Sequence, residues 1–323
     1  MPATILALGL TPGLLLGQGM NPLDHVVNHP FLWTESGWWI WSSQTGNLLI
    51  TLIIMGFLFP RFAKRSSTGP ETEGPERYLP GNRSTAMLEV VCLYLQEQVA
   101  RPVLGDNTKK YMPFLWTVFF FILINNVLGM IPLLEISTLI LAIIGWIVPG
   151  QNFAYTAVIE HRAFMGTTAT GNIWITALLA MIAFVVFIGH GFKELGVRGF
   201  LEHSTGGAPI FLWPIIMPIE LAGYFIIKPG ALAIRLFANM TAGHTMVATM
   251  LMFVTMGFQA AGTITYVGSF AMQVLVTAVL IPIYFLELFV ALLQAFIFMF
   301  LTTIFIGQLS HHHEAEGAHA QAA

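Results

Sequence analysis

The chain has 323 residues, of which 56% are hydrophobic and 9% charged, and its mean hydropathy is +0.76. Soluble domains carry about 25% charged residues, so a soluble enzyme is excluded; the formal net charge of −3 is uninformative by itself, and no nucleic-acid partner is expected. The composition instead provides for an all-α membrane protein with about five transmembrane helices, since each crossing needs about 20 apolar residues.

Residues 1–37 are read as an external N-terminal segment. The apolar run Ile5 to Leu16 lacks a basic flank and a clear small-residue cleavage site, so it is read as retained rather than as a signal peptide. Residues 38–60 are uncharged, flanked by Trp38, Trp39 and Trp41 on one side and by Arg61, Lys64 and Arg65 on the other. This pattern predicts the first transmembrane helix, with an aromatic belt and a basic collar. No Lys or Arg precedes Arg61, whereas Arg77, Arg83, Arg101, Lys109 and Lys110 follow soon after it. The positive-inside rule therefore places the N-terminus outside and the 61–110 loop in the cytoplasm, with the C-terminus also cytoplasmic.

Within that loop, Ser66 to Gly81 is a Pro/Gly/Glu-rich linker. Ala86 to Val103 alternates Met87, Val90, Val91, Tyr94, Leu95 and Val99 with Glu89, Gln96, Glu97 and Gln98, which predicts an amphipathic helix lying at the membrane surface. The lone cysteine, Cys92, falls here and has no partner for an internal disulfide.

Residues 111–310 form the expected membrane domain. Tyr111 to Leu134 is a second span, interrupted by Asn125, Asn126 and Gly129. Ile136 to Ile159 is broken by Pro149-Gly150-Gln151-Asn152 and reads as an external re-entrant or interfacial hairpin. Asn172 to Phe192 is a third span, ended by Lys193 and Arg198. Two runs, Ile210 to Met256 and Ile264 to Leu309, exceed what a perpendicular crossing requires, so these helices must tilt or kink. The tail, 311–323, is polar and His-rich, and reads as solvated rather than metal-binding.

The two long runs hold four formally charged groups, Glu220, Lys228, Arg235 and Glu287, together with the titratable His244. Each is costly in a bilayer and is by default a functional candidate. At about 100° per residue, Lys228 and Asn239 fall within roughly 40° of Arg235 and Glu220 within roughly 60°, while His244 falls on the opposite face. Glu287 and Gln294 are two turns apart on the last helix and share a face. A fixed cation, titratable His and Glu, and neutral amides suit an ion pathway with a barrier inside it.

The stretch from Lys228-Pro229 through Arg235-Leu236-Phe237-Ala238-Asn239-Met240-Thr241-Ala242-Gly243-His244, followed by Leu292-Leu293-Gln294-Ala295-Phe296-Ile297-Phe298, closely resembles subunit a of the F-type ATP synthase. The likeness extends less strongly to the first helix, the basic loop, Asn125-Asn126 with Pro132, and Asn172. It implies a stator subunit whose last two helices lie long and tilted against a rotating c-subunit ring, with peripheral-stalk b subunits and membrane lipid as further partners. Two offset half-channels would pass protons to and from the ring carboxylates.

By that matching, Arg235 faces the ring carboxylate, Asn239 and Gln294 line its surroundings, and Glu220 lies toward the cytoplasmic half-channel. His244 and Glu287 take the outer half-channel pair, with His and Glu exchanged between the two helices relative to many bacterial members. Lys228 and Asn172 are supporting polar positions. The implied membrane is an energy-transducing one, bacterial and plasma. No cofactor or metal is expected, and without a Gly-rich phosphate loop no nucleotide site falls on this chain.

The competing readings are weaker. Haem ligation needs paired histidines at matching depth, and His190 and His244 do not supply an evident pair. An independent secondary transporter would show inverted repeats. A sodium-translocating version of the same subunit is the nearest alternative, against which His244 argues because it can carry a proton.

Overall fold

The computed structural model describes residues 30–33, 39–65, 82–131, 168–204, 210–260 and 266–308. The signal-like stretch, the Ser66 to Gly81 linker, the Ile136 to Ile159 hairpin and the 311–323 tail lie outside the described residues. A short antiparallel hairpin comes first, β1 (Pro30–Trp33) with β2 (Trp39–Ser42). Trp39 and Trp41 are thus strand residues, and the helix expected from Trp38 starts at Ser43.

The helices are α1 (Ser43–Arg65), α2 (Arg83–Tyr94), α3 (Arg101–Leu104), α4 (Thr108–Met130), α5 (Ile173–Ser204), α6 (Trp213–Ala222), α7 (Lys228–Ala260) and α8 (Tyr266–Gln308). Among the described residues, five stretches are long and apolar enough to cross a membrane, Ser43–Lys64, Arg83–Met130, Ile173–Lys193, Trp213–Val247 and Thr277–Gln308. The chain is therefore an all-α, multi-pass membrane protein in its described spans.

Local chemistry explains the interruptions. A π turn, Leu95–Ala100, joins α2 to α3, so the expected amphipathic element is two helices with a widened turn between them. Its apolar residues divide between two sides: Cys92, Leu95 and Val99 are buried, whereas Met87, Val90 and Tyr94 are exposed. Gly105 has φ 53, a conformation that other residues rarely adopt, and it turns the chain from α3 toward α4. Thr108 Oγ1 then donates to Gly105 O at 2.6 Å, closing the turn. Gly196, at φ 67, breaks α5 beyond its apolar part.

A second π turn, Gly223–Ile227, separates α6 from α7. Because a π turn winds more slowly than an α-helix, a wheel drawn at 100° per residue loses phase between Glu220 and Arg235.

The chain divides into two compact units. One comprises Met1–Asn47, Asn126–Asn172 and Phe237–Leu292; the other comprises Leu48–Asn125, Ile173–Leu236 and Leu293–Ala323. The second unit holds an apolar, aromatic-rich core that includes Leu95, Met112, Leu115, Ile122, Phe187, Leu236, Phe298 and Ile306. Phe187 stacks on Tyr224 with ring centroids 5.7 Å apart, and Phe59 meets Phe120 edge-on at 5.1 Å. Gly307 lets α8 approach the backbone of Val103: a Cβ there would lie 2.8 Å from the Val103 carbonyl oxygen.

In α1 the distribution of polarity is inverted relative to a soluble helix. Ser43, Asn47 and Thr51 are fully buried, while Leu52, Ile53 and Phe57 are 57–63% exposed. Lipid tails solvate leucine and phenylalanine well, and hydroxyls and amides must instead find partners within the protein.

Candidate functional site

The first unit carries a chain of polar side chains inside otherwise apolar helices. At its centre His244, on α7, presents Nδ1 to Glu287 Oε1, on α8, at 3.3 Å. Both are largely buried, with 13% and 7% of their side chains exposed. Gly243 leaves room for the carboxylate: a Cβ at that position would sit 3.2 Å from Glu287 Oε1. His244 Nε2 is hydrogen-bonded to Thr168 Oγ1, so the imidazole is engaged through both ring nitrogens. Glu287 Oε1 accepts no well-aligned hydrogen bond among the described residues, which leaves the histidine as its electrostatic neighbour.

A parallel set of contacts supports this pair. Thr170 Oγ1 donates to Asn126 Oδ1 at 2.8 Å, and Asn126 Nδ2 donates to the Ala291 carbonyl at 3.4 Å, one helical turn beyond Glu287. Asn172 Nδ2 donates to Gln44 Oε1 at 2.7 Å, joining the start of α5 to the start of α1. Gly129 is the reason the Thr168 segment can lie against α4: a Cβ built there would collide with Thr168 Oγ1 and Cγ2.

On α7 the threonines Thr241, Thr245 and Thr249 recur every four residues and line one open groove with Ala238, Ala242 and Met246. Thr245 and Thr249 each donate to the carbonyl one turn back, at 2.7 Å. Thr241 Oγ1 is buried without a hydrogen-bond partner among the described residues.

Arg235 belongs to the second unit, on the exposed side of α7 with Ala231 and Ile234. Leu232, Ala233 and Leu236, which flank it, form the buried side. It forms no ion pair among the described residues of its unit, where Glu97 pairs with Arg101 instead. Glu220 is exposed on α6, and Gln294 is buried on α8 at 5% exposure.

Lys228, two turns before Arg235, is half-buried with a different set of neighbours. Its Nζ donates to Gln308 Oε1 at 2.9 Å and lies 3.8 Å from the Tyr224 ring centroid. The wheel puts Lys228 and Arg235 on one face, and the structure gives their charged ends separate surroundings. Asn239 is half-buried on the α7 segment of the first unit. His190, considered above as a haem ligand, is buried and shares a 2.5 Å hydrogen bond between Nδ1 and the Tyr111 hydroxyl.

Of the residues expected from sequence, the structure thus brings His244 and Glu287 together. Thr168, Thr170 and Gly129 complete their surroundings and escaped sequence reasoning as site residues. The available signal was the cluster Thr167-Thr168-Ala169-Thr170 just before Asn172, four small residues with three hydroxyls ahead of an apolar span.

Similarity to known proteins bears directly on this arrangement. The chain matches the family described as ATP synthase A chain over residues 46–307. It is 34% identical to ATP synthase subunit a of Myxococcus xanthus over 83% of this chain and 73% of that protein. It is 38% identical to ATP synthase subunit a of Pelodictyon phaeoclathratiforme over 94% of this chain and 72% of that protein. ATP synthase subunit a 2 of Chlorobaculum tepidum is 37% identical over 70% of this chain, which spans about half of that relative's length, 52%. With a match that includes both polar helices and most of the chain, the protein belongs to the ATP synthase A chain family, the subunit a family of the F-type ATP synthase membrane sector.

Proposed function

We propose that the chain is the stator of a proton-driven rotary motor, passing protons through two offset half-channels to and from the carboxylates of a c-subunit ring. The observation that carries this reading is Arg235, a permanent cation on the exposed side of a 35-residue apolar stretch and without an ion pair among the described residues of its own unit. A guanidinium at membrane depth has to be met by an opposite charge, by backbone carbonyls or by water. A partner carboxylate arriving on the exposed side of α7 supplies the opposite charge, loses its proton there because the cation favours its charged form, and leaves when it is reprotonated. The fixed charge also bars protons from passing directly between the half-channels.

In this reading His244 and Glu287 deliver protons on the outer side, Asn239 and Gln294 line the surroundings of Arg235, and Glu220 serves the cytoplasmic half-channel. Lys228 and Asn172 are supporting polar residues. The membrane domain is 111–310, the N-terminus is outside and the C-terminus is cytoplasmic, in the bacterial plasma membrane. The chain is non-catalytic: ATP is made or hydrolysed on a peripheral sector held in place through b subunits. The imidazole of His244, engaged through both nitrogens, favours protons over sodium as the carried ion.

ATP-driven acidification of inverted membrane vesicles tests the proposal, with the native complex compared with Arg235→Ala. Loss of pumping from an assembled complex is the expected result. Retained pumping would reduce Arg235 to a structural residue, and a strict sodium requirement would overturn the choice of ion.

A further inference from the structure

We infer that the Thr168 hydroxyl is a positioning group for the His244–Glu287 pair, holding the imidazole by its far nitrogen in both of its protonation states. This inference rests on the proton-translocation reading above. Three observations combine. Thr168 is 4% exposed, and its Oγ1 is hydrogen-bonded to His244 Nε2. His244 Nδ1 faces Glu287 Oε1 at 3.3 Å, and Glu287 is the titratable side chain set against the imidazole from α8. Thr168 is itself fixed in place, because its carbonyl accepts from Gly171 N at 3.0 Å, and because Gly129 on α4 offers the space that its side chain occupies.

A hydroxyl is suited to this position. Neutral imidazole has one N–H and one bare nitrogen, while imidazolium has two N–H groups. Facing an ionised Glu287, which only accepts, the neutral ring satisfies the pair by pointing Nδ1–H at the carboxylate. Nε2 is then bare and accepts from the Thr168 O–H. When the ring takes up a proton, Nε2 becomes a donor, and the threonine hydroxyl rotates to accept from it. Nε2 thus keeps the Thr168 hydroxyl as its partner in both states, and the ring keeps Nδ1 turned toward Glu287 as the proton comes and goes. A methyl group in the same place can neither donate to Nε2 nor accept from it, so the hold that Thr168 has on the ring is lost in both states.

Thr168 therefore acts through His244, and its hydroxyl matters beyond the volume that it fills. Thr168→Val keeps the branched shape and removes the hydroxyl, whereas Thr168→Ser keeps the hydroxyl and removes a methyl. In the assembled complex, ATP-driven acidification of inverted vesicles is expected to fall about tenfold in Thr168→Val, the rate equivalent of one lost hydrogen bond to a buried polar group. Thr168→Ser is expected to stay within about twofold of native, the tolerance allowed for a lost methyl. Gly129→Ala, which leaves Thr168 chemically intact but displaces it, is expected to resemble Thr168→Val.

If Thr168→Val pumps as the native complex does while Arg235→Ala is dead, the positioning role is wrong and the translocation reading stands. If Arg235→Ala pumps normally, both fall together. Equal losses in Thr168→Val and Thr168→Ser would assign the effect to packing and overturn the role of the hydroxyl. Should Thr168→Val fail to assemble, Thr168→Ala takes its place with the same expected loss, and native pumping by that variant would overturn the inference.

Discussion

The two units of the chain spend the same apolar composition on opposite ends. The unit that contains Leu115, Phe187 and Phe298 fills its core with aliphatic and aromatic side chains; Tyr111 and His190, buried there, share a hydrogen bond, and Asn125 Oδ1 is the buried side-chain oxygen left without one among its described residues. The unit that contains His244 and Glu287 threads its interior with hydroxyls, amides and two titratable groups, and leaves Glu287 Oε1 and Thr241 Oγ1 without aligned hydrogen bonds among the described residues. Lipid offers no hydrophobic incentive to bury one over the other, so polar interiors must be justified by the contacts they make or the work they do. Among its described residues the aromatic core has nothing in it to titrate near neutral pH once Tyr111 and His190 are paired, and Arg235 stands outside that core, on the exposed side of the same unit. In the proposed reading, the polar unit is the one whose groups change their hydrogen-bonding roles.

The largest effects should follow from removing charge or titration. Beyond Arg235→Ala, Glu287→Gln keeps the shape of the side chain beside Gly243 but gives it no proton to exchange, and pumping should fall by at least about tenfold, within the usual contribution of a positioned acid or base. His244→Glu should be as damaging, since it sets two carboxylates against each other. The exchange double variant, His244→Glu with Glu287→His, restores one acid and one imidazole at the same separation. It should recover a measurable part of the pumping that both single variants lose. Recovery no better than the poorer single variant would show that the pair does not act as a unit.

A smaller effect, read on stability rather than transport, is expected from the aromatic unit. Gly307→Ala would bring a Cβ to 2.5 Å from Val103 Cγ1 and 2.8 Å from its carbonyl oxygen. Backbone has to move, and overpacking of this kind typically costs about 1 to 3 kcal/mol. The temperature at which the subunit is lost from the detergent-solubilised complex should drop, while the pumping rate per assembled complex stays near native. A pumping defect without a drop in that temperature would blur the contrast between the two units.

How much of this was legible in the sequence depended on how unusual each residue is in its setting. Arg235, Glu287 and His244 announce themselves because ionisable groups are rare in apolar runs, and the five spans are legible for the complementary reason. The meeting of His244 with Glu287 follows from family resemblance rather than from periodicity. Thr168 and Gly129 are ordinary in a membrane segment, and the bond from Thr168 to His244 joins residues 76 apart in sequence. No local pattern reports a contact at that distance. The π turn at Gly223–Ile227 was equally invisible, because the wheel assumes constant winding, and so was the hairpin that turns Trp39 and Trp41 into strand residues.

Lys228 offers the smallest expected effect and a separate check on the contrast, since by sequence it belongs with Arg235 and by its contacts it belongs with the aromatic unit. Its Nζ lies 3.8 Å from the Tyr224 centroid and 5.1 Å from that of Phe305, and it donates to Gln308 at 2.9 Å. Lys228→Met keeps the aliphatic stem against those rings and removes the ammonium. The cation–π attraction that is lost is worth about 0.5 to 2 kcal/mol, but the cost of half-burying an ammonium is lost with it, and the two largely offset each other. Stability should therefore change by less than about 1 kcal/mol, the difference left between these opposing effects. Pumping should remain within about twofold of native, because a side chain engaged with its own unit's rings is not available to a passing carboxylate. If Lys228→Met pumps as poorly as Arg235→Ala, the lysine leaves its aromatic setting during turnover, and the boundary between the static and the working parts of the chain moves two turns along α7 toward its start.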